Sequence, residues 1–287
     1  MPRPTLVSRV LRKLNLHRTT ELYFIGYPKT GNTWLRYMLG RYVQLLCDLP
    51  EAPLFDASDA WGRCESYCVG PAMQFTHRPL LWDTQRADDL TVDNVIRPFE
   101  RKRVVLLVRH PLDAIVSFWM QRRHRVKGGY DASLTHMLED PVLGIEKFFR
   151  FYTLWDQNRS RPRGLMVIRY EDMRADPRAV FRELLGYLGI PVDEAAFERA
   201  VTDSDFESMK QVELAGNAPR YRSSGNSIFA SGDINNADAL HVRRGKVGGY
   251  RDYMSVDEAR RFSELIAARL PSTFNYAGMT RSASNVF

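Results

Sequence analysis

The residues best suited to chemistry stand together in one short stretch of the sequence, GYPKTGNTW. Gly26 and Gly31 permit close backbone approach and positive φ angles. Lys29 supplies a positive charge, and Thr30 and Thr33 supply hydroxyl groups. An apolar run precedes the stretch and a helical apolar pattern follows it, so we predict a strand, a loop and a helix. Backbone N–H groups and the positive end of the helix dipole attract anions at such a junction, which makes this an expected anion-binding loop.

The loop has the spacing of a phosphate-binding P-loop but lacks its lysine. The P-loop pattern is G-x-x-x-x-G-K-[ST], whereas here Asn32 stands at the lysine position and Lys29 comes three residues earlier. A P-loop ATPase or kinase also needs an acidic residue after an apolar strand, to help hold magnesium. The second apolar run of this chain ends in Arg109 instead, and the third ends in Arg169 and Tyr170. We therefore expect a ligand with an additional negative group, met directly by arginine, and no obligatory metal ion.

Three apolar runs, LYFIG, RVVLLVRHP and LMVIRYEDM, would position these residues. A turn and a helix-like pattern follow each run, and this repeat predicts an α/β fold with a central parallel sheet flanked by helices. The first unit, around the anion loop, is a P-loop-like strand, loop and helix. Ligands bind such sheets at the carboxyl ends of the strands, so we expect Lys29, Arg109 and Tyr170 on one common rim. The predicted helices cover residues 35–46, 115–120 and 180–188.

A chain of 287 residues can bury a substantial core, and we predict a single domain over residues 1–287. Residues 1–20 are predicted to form a basic amphipathic helix. It either packs on the domain or, through residues 5–18, associates weakly with a membrane surface. Residues 275–287 are polar and are expected to form a loose tail. The long polar or glycine-rich segments, which we interpret as functional lids or disordered loops, are 48–74, 126–144 and 215–250.

Charge and cysteine content indicate which partners and which cellular compartment to expect. The net charge of +7 favours an anionic partner, but it is spread through the chain and no nucleic-acid-binding motif accompanies it. No stretch approaches the roughly 18 apolar residues of a membrane span, and no signal-peptide core follows the start. Cys47, Cys64 and Cys68 make neither a disulfide framework nor a zinc-ligand set. Their odd number favours a reducing compartment, so we expect a cytoplasmic protein.

Five motifs in order carry a resemblance to a known family. YPKTGNTW resembles the 5′-phosphosulfate loop of cytosolic-type sulfotransferases, which use 3′-phosphoadenosine 5′-phosphosulfate as sulfuryl donor. RHPLDAIVS is similar to the 3′-phosphate motif of that family, with Arg109 and Ser117 eight residues apart as in the family. YEDM, SDFESMK and RRGKVGGYRDYM match later family segments in the same order. The matches extend from the first predicted strand to about residue 255.

The resemblance implies a role for each matching residue. Lys29 would contact the oxygen that bridges phosphorus and sulfur, and would stabilise the charge of the departing phosphate. Forked guanidinium groups suit a doubly charged 3′-phosphate. The implied donor contacts are Thr30, Gly31, Asn32 and Thr33 at the 5′-phosphate, Trp34, Tyr170, Ser204 and Phe206 at the adenine, and Arg109, Ser117, Arg243, Arg244 and Gly245 at the 3′-phosphate.

The family takes its catalytic base from a K-T-H-x-P segment, and FTHRP supplies His77 here. A histidine suits this task because its free pKa lies near ~6.5, so that its neutral form accepts a proton at pH 7. Phe75 replaces the family lysine two residues before the base, so acceptor activation is either weaker or served by Arg78. On spacing alone, a structural role for His77 is the competing interpretation.

The acceptor is expected to be a small molecule with a hydroxyl group or, less readily, an amine. Phe75 and Phe118 are the candidate acceptor contacts. Six further aromatic residues could extend an aromatic pocket or could simply be core residues: Trp61, Tyr67, Trp82, Trp119, Phe148 and Tyr152. The basic run RRHRVKGG could instead favour an acidic or carbohydrate acceptor, although such runs are usually solvated loops.

Two other classes of protein share some of these features. A kinase-like P-loop phosphotransferase is the alternative enzyme, and the displaced lysine and the missing metal carboxylate count against it. A non-catalytic nucleotide-binding protein on the same fold is the other alternative, and the presence of both Lys29 and His77 counts against it. No family dimer motif can be placed after Tyr253, so a homodimer stays open.

Overall fold

A computed structural model describes residues 20–50, 54, 57, 70–77, 84–126, 129–217, 233 and 235–276. Four strands lie within these ranges: β1 (Leu22–Gly26), β2 (Met73–Thr76), β3 (Arg103–Val108) and β4 (Gly164–Arg169). They form one sheet in the order β2-β1-β3-β4, and β3 pairs with β4 in parallel. The predicted α/β class, with a central parallel sheet flanked by helices, is confirmed.

Helices fill most of the remaining described chain. The α-helices are α1 (Asn32–Leu46), α2 (Val92–Val95), α3 (Pro111–His124), α4 (Leu134–Glu139), α5 (Ile145–Gln157), α6 (Tyr170–Ala175), α7 (Pro177–Leu188), α8 (Glu194–Asp203), α9 (Phe206–Leu214) and α10 (Val256–Arg269). Short 3-10 helices cover Arg97–Phe99, Ala237–Ala239, Gly249–Asp252 and Ser272–Phe274.

Two compact units can be distinguished, each built from three stretches of chain. The first takes its described residues from Met1–Tyr23, Thr33–Phe75 and Asp176–Arg243, and the second from Phe24–Asn32, Thr76–Ala175 and Arg244–Phe287. One domain over residues 1–287 therefore stays a prediction. None of the helices in the described ranges is both long enough and apolar enough to cross a membrane.

Local sequence signals account for the helix ends. In α7 the side chain of Asp176 accepts a hydrogen bond from the backbone N–H of Ala179, and Pro177 takes the first helical position, where its missing N–H costs nothing. Gly189 ends the helix in the left-handed region, with φ +71°. The predicted stop of this helix at Gly189 is confirmed.

Each unit has its own aromatic core. In the second unit Tyr27 lies against Phe148, with ring centroids 3.5 Å apart, and the fully buried Tyr152 and Trp155 both pack on Phe151. The first unit has a smaller core, in which Phe181 stacks on Phe197 and meets the ring of Tyr42 edge-on.

The third predicted strand, β4, ends at Arg169 and Tyr170 begins α6, so Tyr170 lies just past a strand as predicted. The structure differs from the predictions in three places. The polar segment 126–144 contains α4, whose first turn Ser133 caps. Strand β2 was not predicted, because its four residues show no apolar run. Tyr276, placed in a loose tail by the prediction, is fully buried and donates to Glu171.

The expected reducing compartment loses its support from the cysteine count. Cys47, just beyond α1, is disulfide-bonded, so the odd number of cysteines no longer favours a reducing compartment. Cys64 and Cys68 lie outside the described residues, as do the predicted N-terminal helix up to residue 19 and the tail from residue 277.

Candidate active site

The loop between β1 and α1 is closely packed at its start. The Thr30 hydroxyl donates to the carbonyl of Tyr27 across 2.8 Å. A Cβ atom at Gly26 would lie 2.5 Å from that hydroxyl oxygen and 3.1 Å from the carbonyl oxygen of Leu107 in β3. Glycine is therefore required at position 26, since any side chain there would push the loop away from the sheet.

Two residues of the loop have positive φ angles. Lys29 has φ +71° and Gly31 has φ +101°. The first value is costly for a residue with a Cβ, and such strain is commonly found at functional sites. A Cβ at Gly31 would lie 2.8 Å from the ring of Tyr170, so the chain passes closely over this ring. The backbone N–H groups of the loop are thereby turned in directions that a regular helix would not allow.

Arg109, the residue after β3, joins three parts of the second unit. Its Nη1 donates to the carbonyl of Lys29 across 3.1 Å, and its Nη2 donates to the carbonyl of Lys246 across 3.4 Å. The guanidinium lies over the ring of Tyr170, 4.0 Å from the centroid, where a cation–π contact is favourable. The common rim predicted for Lys29, Arg109 and Tyr170 is confirmed.

His77 follows β2 directly and contacts the end of β1. Its Nδ1 lies 2.8 Å from the carbonyl oxygen of Gly26. A carbonyl oxygen can only accept, so Nδ1 carries the proton and Nε2 of the neutral ring carries the lone pair. The contact therefore selects the tautomer that can take up a proton at Nε2.

The segment RRGKVGGY supplies further cations, which are engaged in ion pairs. Arg244 lies 3.0 Å from a carboxylate oxygen of Asp252 and donates to the hydroxyl of Tyr253 across 3.1 Å. Lys246 lies 2.9 Å from the same carboxylate. Gly245 has φ +58°, so the chain turns in the left-handed region just after Arg244.

Asp113 holds this segment, although the sequence analysis did not identify it. The buried carboxylate lies in the first turn of α3 and accepts from the backbone N–H groups of Gly248, at 2.7 Å, and Tyr250, at 2.9 Å. The sequence offered one signal for Asp113: an aspartate two residues after a helix-starting proline is stabilised by the positive end of the helix dipole.

The predicted adenine residues of the first unit do lie together. Trp34 donates its indole N–H to the carbonyl of Ser204 across 2.7 Å. Trp34 and Phe206 both pack against a small cluster that contains Tyr37 and Met209. Ser204 is fully buried, and its hydroxyl donates to the carbonyl of Ala200 within α8.

Glu213 organises the chain that leads to Arg243. Its two carboxylate oxygens accept from the backbone N–H groups of His241, at 2.6 Å, and Val242, at 2.7 Å. Arg243 itself lies 3.5 Å from a carboxylate oxygen of Asp238. Glu213 was missed because neither its type nor its position in α9 sets it apart in the sequence.

The remaining predicted residues differ in how deeply they are buried. Ser117 is half-buried midway along α3, and Phe118 next to it is buried. Phe75 lies under the guanidinium of Arg36, 5.4 Å from its ring centroid. Phe148 and Tyr152 are fully buried, so the core interpretation is the correct one for them. Trp61, Tyr67, Arg78 and Trp82 lie outside the described residues.

His110, inside the predicted 3′-phosphate motif, is a buried neutral histidine. Burial, together with the positive charges of Arg251, Arg109 and Arg169, lowers its pKa to about 3. Its ring stacks on that of Tyr250 with centroids 5.1 Å apart. Its backbone N–H donates to the carboxylate of Glu171 across 2.8 Å.

The described residues contain no group of three or more histidine, cysteine, aspartate or glutamate side chains placed to hold a metal ion. The carboxylate of Glu171, next in sequence to Tyr170, accepts from His110 and Tyr276, and burial raises its pKa. The rim formed by Lys29 and Arg109 is therefore cationic, as an anion site requires.

Comparison with known proteins agrees with this geometry. The family described as "Sulfotransferase domain" matches residues 19–274 of the chain. Cytosolic sulfotransferase 16 of Arabidopsis thaliana is 23% identical over 278 residues, which cover 89% of this chain and 78% of the plant protein.

Two solved structures have the same fold. The mouse sulfotransferase SULT7A1, complexed with PAP, matches with a TM-score of 0.61 and 19% identity over 94% of this chain and 93% of its own. Retinol dehydratase, in complex with androsterone and the inactive cofactor PAP, matches with a TM-score of 0.57 and 14% identity over 93% of this chain and 82% of its own. Because the family match spans most of the sequence, the chain belongs to the sulfotransferase family and is a sulfotransferase.

Proposed function

We propose that this sulfotransferase moves the sulfuryl group of 3′-phosphoadenosine 5′-phosphosulfate to a hydroxyl group, or less readily an amine, of a small-molecule acceptor. One observation carries the proposal: His77 donates its Nδ1 proton to the carbonyl of Gly26, which leaves Nε2 as the proton-accepting atom. Gly26 is the last residue before the loop that carries Lys29. A base and a cation on one short segment suit direct transfer between two bound substrates.

The residues of the second unit fit the phosphate groups of this donor. Lys29 and Gly31 hold the loop backbone at positive φ, an arrangement that can turn N–H groups toward an anion. Within the described part of the chain, the buried Nε of Arg109 has no hydrogen-bond acceptor. A donor atom of a guanidinium group in this condition suits a phosphate oxygen. PAP bound to two proteins of the same fold supports this ligand class.

The proposed donor contacts follow the motif matches. Lys29 faces the bridging oxygen, and the loop residues after it hold the 5′-phosphate. Trp34, with its indole N–H on Ser204, offers a ring for the adenine. The full proposed set is Lys29, Thr30, Gly31, Asn32, Thr33, Trp34, Arg109, Ser117, Tyr170, Ser204, Phe206, Arg243, Arg244 and Gly245.

The chemistry needs only two side chains near the reacting atoms, a neutral base and a cation. When bound, the donor supplies the sulfuryl group and a phosphate that leaves with additional negative charge. His77 takes the acceptor proton on Nε2, which raises the nucleophilicity of the hydroxyl oxygen. The ammonium of Lys29 stabilises the charge on the leaving oxygen. We propose that no metal ion takes part and that no covalent enzyme intermediate forms.

Arg109 would serve two purposes in this scheme. Its Nη atoms already donate to the carbonyls of Lys29 and Lys246, so the side chain is held in place before any ligand binds. Nε is the buried guanidinium nitrogen that has no partner among the described residues, and we assign it to a 3′-phosphate oxygen. Arg244 is paired with Asp252, and its contact with a phosphate would therefore require that ion pair to be exchanged or shared.

The acceptor is proposed to lie near Phe75 and Phe118, with His77 as the base. Phe75 stands where the family has a lysine, and Arg36 over its ring is a nearby cation that could partly replace the missing charge. The cytoplasmic location and the homodimer stay proposals, the first supported by the description of relatives as cytosolic sulfotransferases.

Ligand-dependent stability tests the donor. Thermal midpoints are measured with adenosine 3′,5′-bisphosphate plus a metal chelator, with adenosine 5′-monophosphate, and with ATP plus magnesium. A ligand that binds only the folded state raises the midpoint in proportion to its affinity. We expect the bisphosphate to give the largest increase, by several degrees, without metal. Stabilisation by ATP with magnesium alone would instead favour the kinase-like phosphotransferase.

A further inference from the structure

The backbone of Arg109 is held on both sides by one buried hydroxyl group. The hydroxyl of Tyr152, in α5, accepts from the N–H of Arg109 across 2.9 Å and donates to the carbonyl of the same residue across 2.9 Å. Tyr152 is fully buried. The two residues are 43 positions apart in the chain, so this is a tertiary contact and not part of a helix or a turn.

Arg109 needs these two hydrogen bonds because it lies between the end of β3 and the start of α3. The parallel ladder of β3 and β4 ends with Val108 opposite Arg169, and α3 begins only at Pro111. The peptide groups of Arg109 therefore fall between a strand and a helix. Buried peptide groups without partners are costly, and the Tyr152 hydroxyl supplies a donor and an acceptor at once.

The ring that carries this hydroxyl is fixed by its neighbours. Tyr152 packs on Phe148, Phe151 and Phe274, with ring centroids 5.9 Å, 6.0 Å and 5.1 Å away. Burial raises the pKa of Tyr152 far above its usual value, so the hydroxyl keeps its proton at neutral pH. A rigid ring thus places a polar group at one point beside the rim.

The position of the Arg109 backbone decides where its side chain reaches. The guanidinium contacts the carbonyls of Lys29 and Lys246 and the ring of Tyr170. Because one side chain makes all three contacts, a shift of the backbone would change their geometry together. It would also move Nε, the donor that the proposed function assigns to the 3′-phosphate.

We propose that Tyr152 is a positioning residue, whose hydroxyl sets Arg109 in the place where it distinguishes a donor with a 3′-phosphate from a nucleotide without one. The inference rests on the proposed function, because it takes Arg109 as a 3′-phosphate contact. It adds a residue of the core to the determinants of donor specificity.

The test compares Tyr152→Phe with a matched control, Tyr42→Phe. Tyr42 is also fully buried, and its hydroxyl donates to the carbonyl of Pro191 across 2.7 Å and accepts from the N–H of Asp193 across 3.0 Å. Both variants therefore lose one hydroxyl that bridges two backbone groups. Only Tyr152→Phe alters the surroundings of Arg109.

Affinities for adenosine 3′,5′-bisphosphate and adenosine 5′-monophosphate are measured by titration calorimetry, and their ratio is the readout. We expect Tyr152→Phe to reduce this ratio by about tenfold, the effect of weakening one good hydrogen bond, and Tyr42→Phe to leave it unchanged. In an Arg109→Ala background, Tyr152→Phe should change the ratio no further, because the two residues act as one unit.

Each outcome separates the inference from the proposed function. A wild-type protein without preference for the bisphosphate contradicts the proposed function itself. A wild-type preference that Tyr152→Phe retains within twofold overturns the inference alone, as does an equal loss of affinity for both nucleotides. If Tyr152→Phe fails to fold, 4-fluorophenylalanine at position 152 fills the space of the hydroxyl without donating, and the same tenfold loss is expected.

Discussion

His77 donates its Nδ1 proton to the carbonyl of Gly26 across 2.8 Å, at the point where β1 ends and the loop containing Lys29 begins. One hydrogen bond therefore links the proposed base to the segment that carries the proposed charge-stabilising lysine. It also selects the tautomer of His77, so the proton-accepting atom is set by a backbone group and needs no neighbouring carboxylate.

Replacement of His77 separates the chemical role from the structural one. His77→Asn retains an N–H that can reach the Gly26 carbonyl but has no group basic enough to take the acceptor proton, whereas His77→Ala loses both. We expect both variants to lower kcat by about 10²–10⁴-fold. Only the alanine variant should also lose stability, by about 1 kcal/mol.

The measurements are steady-state kinetics and urea unfolding, with His136→Ala as a control. His136 is exposed in α4, and its substitution should leave both quantities unchanged. Transfer by His77→Asn at the wild-type rate would remove His77 as the base.

Substitution of Lys29 tests charge and backbone strain independently. Lys29→Ala and Lys29→Gly both remove the ammonium group, so both should lower kcat by about 10²–10³-fold. Lys29 has φ +71°, a conformation that costs any residue with a Cβ about 1 kcal/mol. The glycine variant should therefore be more stable than the alanine variant by about that amount in chemical unfolding. Equal stabilities would contradict the strained loop.

Gly31→Ala should disturb the loop through its contact with Tyr170. The new Cβ would lie 2.8 Å from the Tyr170 ring and would also disfavour the φ of +101°. We expect a loss of about 1–3 kcal/mol in the free energy of unfolding, together with weaker binding of adenosine 3′,5′-bisphosphate.

Gly186→Ala in α7 is the matched control for this variant. A Cβ at Gly186 has no atom within 4 Å, so the substitution should stabilise the helix by about 0.5–1 kcal/mol. A neutral result for Gly31→Ala would show that the loop can move away from Tyr170.

The parts of the site that could be predicted from the sequence depend on local chemistry. Glycines and hydroxyls between an apolar run and a helical pattern predicted the loop around Lys29, because each signal acts within a few residues. The rim position of Arg109 followed from the rule that parallel strands end at one edge. The clustering of Trp34, Ser204 and Phe206 came from family motifs, and spacing alone would not have indicated it.

Other parts of the site depend on contacts between distant segments. Phe148 and Tyr152 are four residues apart, which indicates a buried helix face but not that one hydroxyl meets Arg109. Asp113 and Glu213 bind backbone N–H groups of segments far along the chain, and no local pattern shows such pairing. Strand β2 has only four residues and forms because β1 offers it a partner.

The buried His110 should make stability depend on pH. Its pKa is about 3 in the folded protein and 6.5 as the reference value, so between these values the unfolded state binds the proton and the folded state does not. Stability therefore falls as the pH decreases from 6.5 toward 3. Burial raises the pKa of Glu171 above its ordinary value of 4.5, so Glu171 makes stability fall as the pH increases above 4.5. The wild-type protein and a variant of His110 both contain Glu171, so its contribution cancels when they are compared.

His110→Asn isolates this contribution. Between pH 7 and pH 5 we expect the free energy of unfolding of the wild-type protein to fall by about 2 kcal/mol more than that of the variant. Urea unfolding at the two pH values measures the difference. A parallel decline in both proteins would show that His110 becomes protonated in the folded state.

Sulfuryl transfer itself is the most direct test of the central claim. The protein is incubated with 3′-phosphoadenosine 5′-[³⁵S]phosphosulfate, a metal chelator, and a panel of phenols, alcohols, amines and sugars, and labelled products are separated by chromatography. The account predicts a labelled product with at least one hydroxylated acceptor, formed at a rate that the chelator does not change and that Lys29→Ala lowers by about 10²–10³-fold. A protein that binds adenosine 3′,5′-bisphosphate but labels no acceptor, or that transfers only the γ-phosphoryl group of ATP with magnesium, would contradict it.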